Sequence, residues 1–454
     1  MGKITMIDIL SGNMDVEKIR RHFSAVRYGR IVTNNAASTQ LPDRMLDLHR
    51  EISAIYENVH RGQSSASVET TNLFENAYKV IANFVGAESW REIILYRGTT
   101  EAINAVMYSL MTEFKDGDNV VTTYMEHNSN YIPWYGLTKE ILPKFGLNVE
   151  CRLVKFDKET GELDLDHMKS LVDDRTKIVC CTGASNFLGT KPPIDKIRKI
   201  SNESSYQQPN GMNKSYLLID GAQLVPNAYM DVVKEDIDFL AWSFHKMLAP
   251  VGVGALYAKK EILESMRPFH YGGDMIAEGQ VSPEKVGYNS PPWKFTAGTP
   301  NILGGIVAGE ATRFLVDIVL GKHERGCYGD ITEPNLKRAD IRKAMTIVEN
   351  YEHKLSGYLI DELSSVKGLT IYGPKDPKRR TSPVAFNIEG KNPFFIARYL
   401  DKRGIESRAG CHCATLAHYF YGLNPPASCR ISPYIYNNMK EMESVVKAIR
   451  DLSG

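Results

Sequence analysis

Short apolar runs and longer amphipathic stretches alternate along the chain, with polar turns between them. The short runs predict strands and the longer stretches predict helices, because the two differ in length and in the period of their apolar positions. The predicted strands cover residues 93–96, 119–124, 152–155, 177–182, 216–219 and 254–257. Strands that alternate with helices favour an α/β fold, in which a mostly parallel sheet is flanked by helices.

The helical pattern is clearest in residues 67–86, where apolar side chains recur at helical spacing. A second helix is predicted to begin near Thr100. A long apolar helix over 304–320 is predicted to join a large domain to a smaller C-terminal one. Residues 438–441 are typical of a capping box, so the last helix is expected to begin there and to end near Leu452.

Composition and charge fit an intracellular globular protein. The 454 residues favour two domains, and 43% hydrophobic with 24% charged residues is ordinary for such proteins. A net charge of +1 gives no reason to expect a nucleic-acid or membrane surface. Neither a membrane-spanning run nor a signal peptide is recognisable, and seven cysteines do not suggest a disulfide framework. We therefore expect a cytoplasmic location. The polar stretches 202–215 and 321–334 are predicted to be surface insertions.

The most informative residue is Lys246, which closes the string Ser243-Phe244-His245-Lys246 downstream of an apolar strand that ends in Asp220. An enzyme that holds pyridoxal 5′-phosphate needs such a pair: the lysine forms a Schiff base, and the aspartate keeps the pyridine nitrogen protonated so that the ring accepts electrons. Burial and a neighbouring cation such as His245 would favour the uncharged amine that reacts. A single lysine is more often a surface residue, but further matches outweigh that interpretation.

A second string, Arg97-Gly98-Thr99-Thr100-Glu101, follows an apolar strand and opens a helix. Free backbone N–H groups and the helix dipole attract anions at such a position, and Gly98 allows the backbone to approach closely. The threonine hydroxyls of Thr99 and Thr100 can donate to a phosphate. The string alone is also consistent with simple helix capping. In a chain that also carries Lys246, it predicts the phosphate site, which Ser243 and His245 would complete.

These strings and several others occur in the order typical of one family. From about Ile31 to its C-terminus the chain resembles the class V aminotransferases, which are fold-type I pyridoxal-phosphate enzymes, and more narrowly the group II cysteine desulfurase and selenocysteine lyase branch. The motifs that carry the resemblance cover residues 35–42, 58–62, 97–101, 125–127, 130–134, 184–190, 220–223, 243–246, 297–301, 408–414 and 428–430. It implies a mostly parallel seven-stranded sheet flanked by helices.

The resemblance also implies a division of the chain. Residues 1–30 would form an N-terminal arm that packs with the small domain. Residues 31–310 would form the large domain that binds the cofactor. Residues 311–454 would form a smaller α+β domain that carries a catalytic cysteine loop.

The resemblance assigns roles to individual residues around the cofactor. His127 would stack on the pyridine ring and move protons, and Asn186 and Gln223 would hydrogen-bond the ring oxygen. Thr299 would reach the phosphate bound by the neighbouring subunit, which implies a homodimer with shared active sites. Each of His127, Asn186 and Gln223 has an alternative structural role at the end of a strand.

The substrate side is assigned in the same way. Arg430 matches the arginine that holds the α-carboxylate of the substrate, a task that suits the planar fork of a guanidinium. Its alternative role is a structural salt bridge. Asn35 and Ala37 would also contact the substrate, and the resemblance implies L-cysteine or a related amino acid.

Cys413 distinguishes between the possible reactions. In desulfurases a thiolate on a loop accepts sulfur from cysteine, which leaves a persulfide on the enzyme and releases alanine. Arg408 and His412 would give Cys413 the positive surroundings that favour a thiolate. The implied function is sulfur supply, through an acceptor protein, for iron–sulfur clusters or other thio-cofactors.

Two alternatives stay open at this point. One is another reaction on the same scaffold, by a selenocysteine or cystine lyase, an aminotransferase or an epimerase, for which Cys413 is dispensable. The other is a non-catalytic scaffold, which the intact set of Lys246, Asp220, His127 and Arg430 disfavours.

The chain departs from the group II pattern at several positions. Cys411 stands where a histidine is usual, and it could be a bystander, a second thiol that resolves or relays the persulfide, or part of a metal site. A Cys-His-Cys triplet matches structural zinc sites poorly, so no metal is expected. Asn128, Gly183, Phe244 and Thr296 also differ from the usual residues and leave the substrate preference open.

Overall fold

The computed structural model describes residues 14–322 and 336–453. The strands are β1 Ile31–Val32, β2 Ile93–Tyr96, β3 Asn119–Thr123, β4 Glu150–Val154, β5 Thr176–Thr182, β6 Tyr216–Asp220, β7 Phe239–Ser243, β8 Gly254–Ala258, β9 Ile276–Val281, β10 Val286–Tyr288, β11 Leu369–Tyr372, β12 Val384–Ile388, β13 Ile405–Glu406, β14 Arg408–Gly410 and β15 Ser428–Ile431. The α-helices are α1 Val16–Arg20, α2 Ser24–Arg27, α3 Asp43–Ser53, α4 Ser65–Val85, α5 Thr99–Leu110, α6 Ile132–Gly136, α7 Leu165–Leu171, α8 Ile194–Asn202, α9 Lys260–Ser265, α10 Ile302–Val319, α11 Arg338–Ser364, α12 Pro393–Asp401, α13 Thr415–Phe420 and α14 Met439–Ser453.

The largest sheet has seven strands in the order β2-β8-β7-β6-β5-β3-β4. Strands β4, β3, β5, β6 and β7 pair in parallel, and β8 is antiparallel to both of its neighbours. The central strands are buried on both faces, as is usual where helices cover a parallel sheet. The predicted mostly parallel, seven-stranded α/β sheet is therefore confirmed.

One strand of this sheet escaped the sequence analysis. Strand β7 is a five-residue run, Phe-Leu-Ala-Trp-Ser, and every one of its residues is buried. A run this short has no alternation of apolar and polar positions, so periodicity does not reveal it. The omission matters because β7 leads directly into the turn that carries Lys246.

The predicted helices are present, and their ends have local causes. Helix α4 begins after Ser64, whose hydroxyl accepts from the backbone of Ser67 at 3.1 Å, and ends at Gly86 with φ of +80°. Helix α10, the predicted long apolar helix, is buried on nearly all sides and packs closely on α4. Within residues 14–322 and 336–453, no helix combines the length and apolarity needed to cross a membrane.

The C-terminal residues build an antiparallel sheet in the order β11-β12-β15-β14, with α11, α12 and α14 packed on it. The predicted capping box is confirmed: the backbone N–H of Glu441 donates to the side chain of Asn438 at 3.0 Å, and that of Asn438 donates to the Glu441 carboxylate at 3.2 Å. Arg20, from the described part of the N-terminal segment, forms an ion pair with Glu441 at 2.8 Å.

The stretch 202–215 is more than a surface insertion. Tyr206 and Gln208 are buried, with the Tyr206 hydroxyl donating to Asp118 at 2.8 Å and the Gln208 amide donating to the carbonyl of Lys177 at 2.8 Å. The stretch thus closes the end of β5 that lies away from the cofactor motifs. The other predicted insertion, 321–334, lies outside the described residues except for its first two positions.

The close approach of two backbones brings the Lys246 turn and the phosphate motif together. Strand β8 lies between β2, which precedes the Gly98 turn, and β7, which precedes Lys246. A Cβ atom on Gly254 would lie 2.4 Å from the Cα atom of Gly98 and 2.7 Å from the carbonyl oxygen of Trp242. Only glycine allows this spacing, so Gly254 sets how the two turns face each other.

Substitution Gly254→Ala is expected to destabilise the protein by about 1–3 kcal/mol, because neither backbone can move away without disturbing the sheet. Thermal unfolding would measure this loss. Gly136→Ala is the matched control, since a Cβ atom there meets nothing within 4 Å and the backbone is already helical. Equal melting temperatures for the two variants would contradict this account of the close approach.

Candidate active site

A single cavity of about 190 Å³ lies where β5, β6 and β7 end. Most of the residues predicted to hold the cofactor line it, together with Ala37 from the substrate group. They are Thr99, Thr100, His127, Asn186, Asp220, Gln223, Ser243, His245 and Lys246. Parallel strands place their carboxyl ends at one edge of a sheet, which explains why residues so far apart in the sequence converge.

Lys246 lies on a short helical turn directly after β7 and faces this cavity. Burial lowers the pKa of its amine to about 8; Asp220 opposes this change, while Arg430 and Arg408 add to it. The uncharged, nucleophilic form is therefore much better populated near neutral pH than for an ordinary lysine.

The expectation that His245 acts as the neighbouring cation is wrong. Burial, with a contribution from Lys246, lowers the pKa of His245 to about 4, so its imidazole is neutral at physiological pH. Its Nδ1 atom lies 3.3 Å from the hydroxyl of Ser38. The positive charge near Lys246 comes instead from Arg408 and Arg430, which approach from the C-terminal sheet.

Asp220 ends β6 and is only 3% exposed. Its carboxylate accepts from the backbone N–H of Ala222 at 3.0 Å, and burial raises its pKa above the ordinary value. A buried carboxylate with few donors is suited to bind a cationic N–H group, such as a protonated pyridine nitrogen.

His127 follows β3 and lines the cavity. Its Nδ1 atom accepts from the backbone N–H of Ser129 at 3.1 Å, which assigns the ring proton to Nε2. Burial, followed by the charges of Lys246, Arg408 and Arg430, lowers the pKa of His127 to about 3. The ring is thus neutral, and a neutral ring can stack on an aromatic cofactor without desolvating a charge.

The sequence analysis did not assign a role to Glu126, which fixes the His127 turn. Its buried carboxyl accepts from the hydroxyl of Thr123 at 2.6 Å, the amide of Asn130 at 2.7 Å and the backbone N–H of Thr182 at 2.9 Å. It therefore ties the end of β3 to the end of β5. An acidic residue directly before a site histidine was the available signal.

The predicted phosphate cradle has a suitable donor set. Helix α5 begins at Thr99 after Gly98, which has no side chain to cap the first turn, and the Thr99 N–H donates to the Ser243 hydroxyl. The Ser243 hydroxyl lies 2.8 Å from the Thr99 nitrogen and 2.7 Å from its hydroxyl, and the hydroxyls of Thr100 and Ser129 lie 2.7 Å apart. Clustered hydroxyls at an open helix N-terminus fit a phosphate group.

Two amides border the cavity on the side of the C-terminal sheet. Asn186 donates to the carbonyl of His412 at 2.7 Å, while its buried Oδ1 atom has no partner among the described residues. Gln223 donates to the carbonyl of Ala36 at 2.7 Å. Since buried acceptors are rarely unpaired, the orphaned oxygen of Asn186 marks a place where a bound group supplies a donor.

Arg408 and Arg430 lie side by side on the paired strands β14 and β15. Arg430 is fully buried and donates to the carbonyl of Asn186 at 2.8 Å and to the side chain of Asn34 at 3.3 Å, while its Nε atom has no partner in residues 14–322 and 336–453. Burial and the adjacent Arg408 lower the pKa of Arg430 to about 9. Neither arginine forms an ion pair within the described residues, and such a pair attracts a carboxylate.

The residues predicted to bind the substrate lie at different depths relative to the cavity. Arg408 lines the cavity, whereas Arg430 lies behind it. Asn35 is also buried behind the wall, where its amide donates to the carbonyls of Val32 and Ser432, both at 2.9 Å. Asn35 therefore holds the segment that presents Ala37.

Cys413 lies on a turn after β14, is partly buried and accepts a hydrogen bond at 3.8 Å from the Arg408 guanidinium to its sulfur. Its carbonyl accepts from the backbone N–H of Asn128, next to His127, at 2.6 Å. The turn thus borders the Lys246 cavity.

Thr299 lines a separate cavity with Arg97, and its predicted role concerns a neighbouring subunit.

Two departures from the group II pattern now have structural explanations. A Cβ atom on Gly183 would lie 2.8 Å from Leu224, so a histidine has no room there. Phe244 is fully buried and packs edge-on against Trp242 at 5.9 Å between ring centroids. Both changes affect packing behind the cavity rather than its lining.

Comparison with known proteins shows the family of this chain. Residues 31–325 and 341–445 match the aminotransferase class-V family, and the chain belongs to that family. It is 33% identical to a probable cysteine desulfurase of Halobacterium salinarum over 96% of both chains, and 34% identical to a cysteine desulfurase of Haloferax volcanii over 92% of this chain and 88% of the relative.

Solved structures of cysteine desulfurases also resemble this chain. The apo structure of a cysteine desulfurase from Thermococcus onnurineus NA1 superposes with a TM-score of 0.83 and 28% identity. The cysteine desulfurase CsdA from Escherichia coli superposes with a TM-score of 0.80 and 26% identity. Each alignment covers 96% of this chain and 98% of the other.

The amine of Lys246 is expected to react with a neutral acylating reagent along a curve centred near pH 8, because burial lowers its pKa to about 8 and only the uncharged form reacts. The labelled fraction in cofactor-free protein, measured by peptide mass spectrometry, should rise through that pH and then level off. In Asp220→Asn the midpoint should fall, since the carboxylate favours the ammonium. Labelling that still climbs towards the ordinary value of 10.5 would contradict this environment.

Proposed function

We propose that this protein is a pyridoxal-phosphate-dependent cysteine desulfurase, which converts L-cysteine to L-alanine and keeps the sulfur as a persulfide on Cys413. The observation that carries the proposal is the meeting of Lys246, whose amine has a lowered pKa, with the Cys413 turn at one cavity. Membership in the class V family and relatives named cysteine desulfurases support it.

The residues of the cavity fit the cofactor. Thr99, Thr100, Ser243 and His245 would hold its phosphate, and Asp220 its pyridine nitrogen. His127 would cover one face of the ring, Asn186 and Gln223 would contact its ring oxygen, and Lys246 would hold it covalently. When bound, pyridoxal phosphate supplies an electron sink for the electron pair that a breaking bond leaves on the substrate carbon.

Other side chains of the site would bind the substrate and move its protons. Arg430, supported by Arg408, would hold the substrate carboxylate, and Ala37 would border the substrate. Lys246, with its amine near its titration point at neutral pH, can take a proton from the substrate carbon and return one.

Sulfur transfer falls to Cys413. Its thiolate attacks the sulfur of bound cysteine, so that a sulfur–sulfur bond forms while the carbon–sulfur bond breaks. The electron pair of the broken bond stays with the carbon, which takes up a proton and becomes the methyl group of alanine. The Arg408 guanidinium, 3.8 Å from the Cys413 sulfur, stabilises the attacking negative charge.

Two parts of the proposal concern partners. The sulfur would pass from Cys413 to a thiol of an acceptor protein, for iron–sulfur clusters or other thio-cofactors. The position of Thr299, away from the Lys246 cavity of its own chain, supports a homodimer in which Thr299 reaches the phosphate site of the other subunit.

Substitution Cys413→Ser in the cofactor-loaded enzyme is expected to lower alanine formation from L-cysteine at least about 100-fold, because no nucleophile remains to accept the sulfur. Lys246→Ala should abolish both turnover and the yellow covalent chromophore. Amino-acid analysis and absorption spectra measure these outcomes, with Cys151→Ser as the matched cysteine control. Undiminished alanine from Cys413→Ser would favour a lyase, in which the cysteine is dispensable.

Thr299→Ala is expected to weaken retention of pyridoxal phosphate by about 10-fold, which corresponds to the loss of one hydrogen bond to a charged group. Equilibrium dialysis measures the affinity, and sedimentation gives the subunit number. Thr296→Ala is the control, because Thr296 is buried and lies three positions earlier on the same segment. A monomer in sedimentation, or unchanged retention in a dimer, would refute the shared site.

A further inference from the structure

We propose that Cys411 is a second sulfur carrier, which takes the sulfane sulfur from the persulfide on Cys413 and so frees Cys413 for another turnover. The inference rests on the proposed desulfurase function and adds a residue to it. The observations that carry it are the backbone of residues 411–414, the points where that backbone is held, and the partner of the Cys413 sulfur.

Residues Cys411 to Ala414 form a tight turn that is closed by a hydrogen bond of 2.8 Å from the N–H of Ala414 to the carbonyl of Cys411. Its two central residues, His412 and Cys413, have φ of +52° and +55°. Positive φ at both central positions is the signature of a type I′ turn, which glycine and asparagine usually occupy. Here a histidine and a cysteine adopt it, at roughly 1–2 kcal/mol per residue.

This backbone brings the two cysteines close. A helical backbone of either hand places Cα atoms two residues apart at about 5.4 Å. Sulfur atoms of two cysteines can bond when their Cα atoms are separated by roughly 4.4–6.8 Å. An extended Cys-x-Cys segment would instead direct both side chains to one face at a greater separation. The turn therefore gives Cys411 and Cys413 a Cα separation that lies within this range.

The turn is fixed at its centre. The carbonyl of His412 accepts from the amide of Asn186 at 2.7 Å, and the carbonyl of Cys413 accepts from the N–H of Asn128 at 2.6 Å. Since the backbone is held at the carbonyls on both sides of the Cys413 nitrogen, transfer between the two cysteines depends on rotation of their side chains. Such preorganisation gives an intramolecular thiol a large effective concentration.

The ring of His412 is fixed as well. His418 donates from Nδ1 to the carbonyl of Ala414 at 2.9 Å, so its Nε2 accepts from the hydroxyl of Ser428 at 3.0 Å. The Ser428 oxygen then accepts from Nε2 of His412, also at 3.0 Å. His412 is only 1% exposed, so it anchors the turn between two cysteines that are both partly accessible.

The direction of transfer follows from Arg408. In sulfur exchange the better leaving group is the thiolate whose negative charge is better stabilised. The Arg408 guanidinium contacts the sulfur of Cys413 at 3.8 Å, whereas no side-chain hydrogen bond to Cys411 occurs within the described part of the chain. Attack on the outer sulfur of the persulfide expels the Cys413 thiolate, which Arg408 contacts, whereas attack on the inner sulfur would expel hydrosulfide.

The step is balanced without another reagent. The Cys411 thiolate attacks the outer sulfur of the Cys413 persulfide, one sulfur–sulfur bond forms while another breaks, and the Cys413 thiolate leaves. The sulfane sulfur keeps its oxidation state, and Cys413 returns to the thiolate that the next cysteine requires. Cys411 is partly exposed, so an acceptor thiol can approach it from solvent.

The test is a burst experiment on the cofactor-loaded, reduced enzyme, with a small excess of L-cysteine and no reductant or acceptor. About two alanine equivalents per protomer are expected, because each of the two thiols stores one sulfane sulfur. Alkylation and tryptic digestion should find sulfur on Cys411 and Cys413, but not on the buried Cys429, within the peptide Ala409 to Arg430.

Variants separate the outcomes. Cys411→Ser should give about one equivalent, and so should Cys411→His, which restores the residue usual in group II, because one carrier thiol remains in each. Cys151→Ser, in which a partly buried cysteine on β4 is changed, is the matched control and should keep the wild-type burst. Bound-cofactor absorption verifies folding in all of them.

A wild-type burst of one equivalent, with sulfur on Cys413 alone, would overturn the relay and leave the desulfurase intact. A disulfide between Cys411 and Cys413 with release of sulfide would also overturn it, because the inner sulfur would then be the site of attack. Absence of alanine from the wild-type enzyme would refute the proposed function itself.

Discussion

Positive charge that is buried without a counter-ion governs the electrostatics of this site. Lys246 and Arg408 line one cavity, Arg430 lies behind it, and Asp220 is the acidic group close to Lys246. Burial, reinforced by the neighbouring positive charges, lowers the pKa values of Lys246 and His127, so Lys246 is partly uncharged and His127 is neutral. A substrate carboxylate would supply the missing negative charge, so the free site is electrostatically incomplete. The Arg408 guanidinium also contacts the sulfur of Cys413.

Much of the fold and of the cofactor site was predictable because the relevant signals are local. The predicted ends of strands with short apolar runs lie within about two residues of the observed ends. The spacing of Asn438 and Glu441 indicated the start of a helix. Asp220 and Lys246 were recognisable because each stands at the end of an apolar strand or in the turn after one. A parallel sheet then brings such positions together.

Other features depend on contacts between distant segments and were not predictable. His245 was expected to be a cation, but burial against the body of the protein keeps it neutral. Arg408 lines the cavity and Arg430 lies behind it because their strands pair in a particular register. Strand β7 lacks any periodic signal, since all of its side chains are buried. In each case the deciding quantity is burial, which a local pattern does not encode.

Lys177 stands at the start of the strand whose other end borders the cavity, and its side chain is fully buried. Its ammonium pairs with Glu113 at 3.1 Å and faces the rings of Tyr206 and Tyr216. A buried cation that loses its partners is strongly destabilising, and Tyr206 belongs to the 202–215 stretch. The burial of the lysine and the position of the stretch therefore depend on each other. A shorter connection after α8 would remove Tyr206 and leave Glu113 as the ion-pair partner of Lys177, so an apolar residue would then suit this strand position better than a lysine.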